Sequence, residues 1–247
     1  MKKSSDFFDL ITFTKKLLKY ILNTYFKKSK KNNNNFEYIW KTKSSIDILE
    51  GYWNRKNYDV YLSPLIEIIN KNNIKNILEI GCGTGGILKV ISLNCKTVKN
   101  IYGTDFNQSF INFGQDSCKN EKINNIILFN VDIDSEKIFE LIKEKKIDLI
   151  ITVYTMCQLK TAETKIDQIF KLINNINPKF LYFAEIFDFN NKIKIFRSIQ
   201  KNAYPNRIIL NYDLFKKNLI NYEFKLLKEN YNNCAVKFSQ IGCERFD

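Results

Sequence analysis

Glu79 stands two residues ahead of Gly81-Cys82-Gly83-Thr84-Gly85-Gly86, a run with four glycines in six positions. Glycines let a backbone turn sharply and let a ligand come close. Ile77-Leu78-Glu79-Ile80 before the run reads as a buried strand, and Ile87-Leu88-Lys89-Val90 after it as the start of a helix. Gly81, Gly83 and Gly86 also satisfy the G-x-G-x-x-G dinucleotide fingerprint, a weak signal alone. Glu79 weighs against that ligand, because a carboxylate at the mouth of the strand repels a pyrophosphate and suits a ligand carrying an amino group. Two further carboxylates end apolar runs, Asp105 after Asn100–Thr104 and Asp132 after Asn125–Asn130. Open α/β sheets bind ligands outside the carboxyl ends of their strands, where the strand order reverses. A carboxylate at Asp105 can accept both hydroxyls of a ribose. Each aspartate alone is more often a turn or cap residue. Behind the Glu79 turn, the two point to one ligand site.

Glu79-Ile80-Gly81-Cys82-Gly83-Thr84-Gly85 resembles the first motif of the class I S-adenosylmethionine-dependent methyltransferases, and the likeness covers about Tyr52 to Phe238. The resemblance implies S-adenosyl-L-methionine as cofactor, held around Glu79, Gly81, Cys82, Gly83 and Gly85. It places the ribose on Asp105, the adenine face against Phe106, and the adenine amino group on Asp132 with Ile133 backbone beside it. Asp148 to Leu159 resembles the fourth-strand motif of the small-molecule branch, which brings in Thr152. That branch commonly carries a Glu-His pair where this chain has Cys157 and Gln158. Gln158 is therefore expected to position a group by hydrogen bonds without taking a proton. No Asn-Pro-Pro-Tyr sequence occurs, which argues against methylation of exocyclic amino groups of bases.

Tyr52-Trp53-Asn54-Arg55 through Tyr61 is similar in character to the helical segment that folds over the cofactor in this family. The resemblance implies that Arg55 binds the cofactor carboxylate and that Trp53 and Tyr58 line the acceptor site; the bland alternative makes both aromatics core anchors. The stretch Ile186–Leu210, with Asp188, Arg197 and Arg207, corresponds to an insertion that helps to form the acceptor site. Transfer from a sulfonium methyl is an in-line displacement in which alignment supplies up to ~7–11 kcal/mol. A hydroxyl acceptor needs a base: Glu185 at the end of strand five comes first, with Asp188 behind it and Tyr154 weaker. The bland reading of Glu185 is a cap of the following helix. An acceptor oxygen that is already anionic needs only cations such as Arg55, Arg197 or Arg207 to orient it. Size, bias and the cap also resemble short bacterial methyltransferases that decorate surface polysaccharides, including those acting on capsular phosphoramidate groups. The expected function is O-methylation of a small, sometimes anionic, acceptor. The rivals are an RNA or protein methyltransferase and a non-catalytic S-adenosylmethionine- or NAD-binding module.

The composition narrows the chemistry. The 247 residues include no histidine, so a mechanism needing an imidazole base is excluded. Six cysteines without a C-x-x-C pair read as reduced, mostly buried thiols in a cytoplasmic protein, and no metal site is expected. The net charge of +13 comes from 39 basic residues of which only Arg55, Arg197, Arg207 and Arg245 are arginines. Arginine forks onto phosphate and reads bases, so no specific nucleic-acid partner is expected. No twenty-residue apolar run and no signal peptide are read.

These groups need a frame to position them. Residues 1–35 are expected to form a basic amphipathic helix and an Asn-rich joint. The helix carries nine lysines against two aspartates over residues 1–31 and suits packing on the domain, a second subunit or weak contact with a membrane surface. Residues 36–70 form a helical cap and 71–247 the main domain. That domain is expected to be α/β, a doubly wound, mostly parallel Rossmann-like sheet of about seven strands with a C-terminal antiparallel hairpin. The strands fall at Asn76–Ile80, Asn100–Thr104, Asn125–Asn130, Asp148–Val153, Phe180–Ala184, Phe224–Leu227 and Cys234–Gln240. A helix is expected over Asp213–Tyr222, with Asp213 as N-cap.

Overall fold

The computed structural model describes residues 49–50, 53–54, 62–133, 135, 137–156, 162–188, 210–230 and 236–246. Residues 1–35 and most of the cap lie outside the described residues. Five strands, β1 (Asn76–Ile80), β2 (Asn100–Asp105), β3 (Ile126–Asn130), β4 (Leu149–Val153) and β5 (Phe180–Asp188), run parallel in the order β3-β2-β1-β4-β5. The chain winds outward from β1 to β3, then crosses back to β4. The strand order therefore reverses between β1 and β4, with the glycine turn and the end of β4 on either side of the switch point.

Parallel strands buried on both faces read as nearly continuous apolar runs, as β1 and β4 do. The pleat sorts their side chains between two layers. Ile77, Ile101, Leu149 and Tyr182 join helices α1 (Ser63–Lys71), α2 (Gly86–Asn94) and α3 (Gln108–Asn120) in one core. Leu78, Tyr102, Ile150 and Phe183 join α4 (Lys137–Ile142), α5 (Ala162–Ile176) and α6 (Tyr212–Asn221) in the other. Phe170, Phe183 and Phe215 lock α5 and α6 onto β5. The Phe183 and Phe215 rings meet edge to face at 4.8 Å and the Phe170 and Phe215 rings lie 5.7 Å apart. Such pairs add about 0.5–1.5 kcal/mol beyond the area they bury.

The far edge holds the expected hairpin, β7 (Phe224–Asn230) antiparallel to β8 (Val236–Arg245), with β8 antiparallel to β5. Several boundaries differ from the sequence expectation; β7 and β8 run to Asn230 and Arg245 where Leu227 and Gln240 were expected. The strand β5 does not end at Ala184 but continues to Asp188, because β8 pairs with it from Phe180↔Glu244 to Asp188↔Val236. A two-residue strand, β6 (Leu210–Asn211), pairs parallel with Phe187 and Asp188 and was not foreseen, being too short to show periodicity. The N-cap of α6 is Asn211, whose side chain accepts from the Leu214 N–H at 3.0 Å; Asp213 lies in the first turn.

One consequence bears on the site. β4 pairs with β5 only as far as Val153↔Ala184, and β8 occupies the opposite edge of β5 throughout. β6 therefore lies in line with β4, beyond its carboxyl end. Asp188 and Leu210, which bracket the expected acceptor insertion, are both held at that rim.

Candidate functional site

At its amino end the glycine turn is tied to β2. The Gly81 and Cys82 N–H groups both donate to the Thr104 carbonyl, at 2.8 and 2.9 Å. Gly81 has φ +72°, a left-handed value that strains an L side chain. A Cβ there would stand 2.3 Å from Thr155 Oγ1, so the turn needs glycine for space as well. The Gly83 N–H donates to Asp105 Oδ2 at 2.9 Å, and the Asn107 N–H to Asp105 Oδ1 at 2.8 Å. A carboxylate has about four lone-pair sites. These two bonds aim the Asp105 carboxylate and leave acceptor capacity on both oxygens.

Three groups brace the turn from behind. The α3 backbone comes so close at Gly114 that a Cβ would lie 2.4 Å from the Thr84 carbonyl oxygen. Gly103 likewise leaves room for Cys82 Sγ and Leu128. Trp53 packs against Gly85, its indole N–H donates to Glu121 Oε1 at 2.5 Å, and Lys89 Nζ reaches the same oxygen at 2.7 Å. At 3% exposure, among Leu88, Ile91 and Cys118, Trp53 sits in the core.

Glu79 is the unusual group. It is 1% exposed, and its Oε2 has no hydrogen-bond partner. Burial, helped by the neighbouring Asp105 charge, pushes its carboxyl well above the usual range. Asp105 is raised as well, chiefly by burial, against the lowering pull of the Asn107 and Gly83 N–H groups. A buried carboxylate without donors is expensive to keep ionised. It is the arrangement expected where a cationic group of a ligand completes the site.

The rim beyond β2 and β3 is also braced. Asn130 Nδ2 donates to the carbonyls of Asp105 and Phe106, at 3.1 and 2.9 Å, and the Val131 N–H donates to the Asp105 carbonyl. Phe106 is thereby held with 38% of its surface exposed, and Asp132 is exposed at the end of β3. Half-buried Ile133 packs against the core beneath. Cys82 is 8% exposed and its thiol is pushed up by burial, so it lines the turn as an inert wall.

On the other side of the switch point, Thr152 is enclosed at 0% exposure with no partner for its hydroxyl, a core position one residue short of the strand end. Tyr154 has φ +53° and its N–H donates to the Ala184 carbonyl. Glu185 lies inside β5 and not at its end or in a helix cap. It is 0% exposed, and its Oε1 accepts from the Thr155 and Met156 N–H groups at 2.9 and 3.1 Å. That carboxylate thus has a holding task which the sequence did not suggest. Asp188 pairs through its backbone with Asn211 and Val236. Arg55, Tyr58, Gln158, Arg197 and Arg207 lie outside the described residues.

Sequence reasoning missed Asn107, Asn130, Gly114 and Thr155. Only Asn107 carried a local signal, an N-cap residue ahead of a helical pattern; its side chain accepts from the Ser109 and Phe110 N–H groups. Among the described residues no cluster of His, Cys, Asp or Glu could hold a metal ion, and no helix is long and apolar enough to cross a membrane. Four cysteines, Cys82, Cys95, Cys118 and Cys243, are buried free thiols.

A family model described as a methyltransferase domain matches residues 77–176. No curated protein sequence matches the chain. Solved structures match its fold at low identity. Magnesium protoporphyrin IX methyltransferase from Synechocystis PCC 6803, with SAH bound, is 11% identical with a TM-score of 0.58, covering 85% of this chain and 98% of that one. Geranyl diphosphate C-methyltransferase from Streptomyces coelicolor A3(2) is 8% identical with a TM-score of 0.59, covering 87% and 99%. The [4+2]-cyclase SpnF is 12% identical with a TM-score of 0.59, covering 85% and 94%. Residues 77–176 therefore match a methyltransferase domain, within a chain that shares the fold of S-adenosylmethionine-dependent methyltransferase structures.

Proposed function

We propose that the protein transfers the methyl group of S-adenosylmethionine to an oxygen of a small acceptor, a sugar or a phosphoryl or phosphoramidate group of a surface-polysaccharide precursor. One observation carries the cofactor half of this reading. Glu79, Asp105 and Asp132 stand at the carboxyl ends of adjacent strands around the glycine turn, and Glu79 keeps a buried carboxylate oxygen without a partner. These groups fit the cofactor. The unpaired Glu79 carboxylate suits its ammonium group, the preset Asp105 carboxylate suits two ribose hydroxyls, and exposed Phe106 offers a face to adenine. Bound there, S-adenosylmethionine supplies an electrophilic methyl group. A pyrophosphate would meet three carboxylates, which disfavours the dinucleotide alternative.

The protein's own contribution is alignment and exclusion of water. The braced turn would hold one end of the cofactor and Asp105 and Phe106 the other, and the rim formed by β6 beyond β4 is the proposed acceptor side. Oxygen as the receiving atom rests on the sequence likeness. A phosphoryl or phosphoramidate oxygen needs no base, consistent with a Glu185 carboxylate already engaged by two backbone N–H groups. The fold alone leaves the chemistry open, as the likeness to a cyclase illustrates.

The test is methyl transfer from methyl-labelled S-adenosylmethionine to a panel of hydroxylated, phosphorylated and phosphoramidate-bearing sugars. Label recovered on an oxygen of one class supports the proposal. Label recovered only on RNA or protein contradicts the acceptor assignment.

A further inference from the structure

The turn after β4 is held between two strands that are distant in sequence. From the β5 side, Glu185 Oε1 accepts both the Thr155 and the Met156 N–H. Toward β1, the Thr155 side chain lies against Gly81, occupying the space where a Cβ would be. Its Oγ1 stands 3.0 Å from the Ile80 carbonyl oxygen and 3.3 Å from that of Gly81. Tyr154 passes through a left-handed conformation at φ +53°, which carries the chain from the strand into this position. Such a conformation in a non-glycine residue persists only where its surroundings hold it. Met156, 1% exposed in the core, anchors the far end.

We infer that Glu185 is a positioning residue: it acts through Thr155 on Gly81, and so sets the glycine turn of the cofactor site from two strands away. This rests on the cofactor reading above and gives Glu185 a task different from proton transfer. The bonding pattern makes the two tasks separable. Both N–H groups go to one oxygen, so the amide oxygen of a glutamine can accept both, whereas a glutamine cannot act as a base. A charged acceptor is the stronger partner, so Glu185→Gln is expected to loosen the turn slightly and not release it.

The experiment compares wild type, Glu185→Gln, Glu185→Ala and Thr155→Ala, with S-adenosylhomocysteine as the probe. Binding is measured by calorimetry, and amide hydrogen exchange is followed at Thr155, Met156 and the glycine turn. Wild type is expected to bind, Glu185→Gln to bind within about threefold of it, and Glu185→Ala to bind at least tenfold more weakly. Exchange in the ligand-free Glu185→Ala protein should rise at Thr155, Met156 and Gly81–Gly83, while the β2 and β3 amides stay protected. A purely structural role would raise exchange broadly and leave the affinity of the folded fraction unchanged. If Glu185→Ala fails to fold, Thr155→Ala carries the test, with at least fivefold weaker binding expected. Wild-type affinity in the folded Glu185→Ala protein, or in Thr155→Ala, overturns the inference. So does a loss in Glu185→Gln as large as in Glu185→Ala, which would assign the effect to charge. Failure of wild type to bind the probe would overturn the cofactor reading; the exchange pattern of the ligand-free protein would still decide whether Glu185 holds the turn.

Discussion

The Gly83 N–H donates to Asp105 Oδ2 at 2.9 Å, so the carboxylate at the end of β2 is aimed by the glycine turn that follows β1. The Asn107 N–H holds the other oxygen at 2.8 Å. Asp105 is thus part of the turn's own framework as well as the proposed ribose ligand. Substitutions there report on both, and an asparagine, which keeps one acceptor oxygen, separates them from an alanine.

Glu79 is predicted to make cofactor binding depend on pH. Its folded carboxyl lies well above the ordinary value because it is buried, with Asp105 adding to the effect. The free protein therefore carries a proton on Glu79 at pH values where an exposed glutamate is ionised. An ammonium ligand favours the ionised form, so binding should release a proton and tighten as pH rises toward the raised value. Calorimetry in two buffers of different ionisation enthalpy measures that proton. Glu79→Gln should abolish most of the release and weaken binding at least tenfold, about 1.4 kcal/mol.

The same shift sets the sign of a stability effect. The folded state holds the Glu79 proton more tightly than the unfolded chain does. The stability linked to it is fully present below the ordinary glutamate range and is lost as pH rises through the folded value. Thermal melts of the ligand-free protein should therefore fall between mildly acidic and neutral pH less steeply for Glu79→Gln than for wild type. Asp105, also raised, is coupled to Glu79, so the difference reports the loss of Glu79 together with the relief it gives Asp105. Equal slopes would show that Glu79 is not the group responsible.

Gly114 is predicted to be a packing position for the site. A methyl group there meets the Thr84 carbonyl oxygen at 2.4 Å and Leu128 at 2.5 Å, and backbone cannot yield as a flexible side chain does. Gly114→Ala, ordinarily favourable in a helix, should instead destabilise by about 1–3 kcal/mol. It should also weaken cofactor binding, because Thr84 belongs to the glycine turn. A chemical denaturation midpoint at or above that of wild type would contradict the packing.

Asn211 caps α6 and also pairs with Asp188 in β6. Asn211→Ala should cost about 1 kcal/mol through the lost cap. Asp213→Ala should cost less through the helix terminus, since Asp213 lies in the first turn and is not the cap. The order of the two melting temperatures checks which residue is the cap.

These cases show what could be read from the sequence and what could not. The β1 strand and the glycine turn were legible because a buried parallel strand leaves an unbroken apolar run, and a tight turn leaves glycines. Asp105 and Asp132 were legible as carboxylates at the ends of such runs. Trp53 was ambiguous, since a large aromatic near a site serves equally as wall or anchor. The bond from its indole to Glu121, 68 positions away, made it an anchor. The task of Glu185 was hidden for the same reason. Its partners are 29 and 30 residues earlier, and neither strand carries a local mark of the pairing. The extension of β5 was invisible because β8 supplies it from the other end of the domain.

The central claim is a cofactor site built on Asp105 and the glycine turn. Calorimetric titration of wild type, Asp105→Asn and Asp105→Ala with S-adenosylmethionine, S-adenosylhomocysteine and NAD tests it most directly. The account predicts micromolar binding of both sulfur ligands by wild type, at least tenfold weaker binding by Asp105→Ala, an intermediate loss in Asp105→Asn, and no comparable affinity for NAD. Folded wild-type protein that binds neither sulfur ligand, or that prefers NAD, would contradict it.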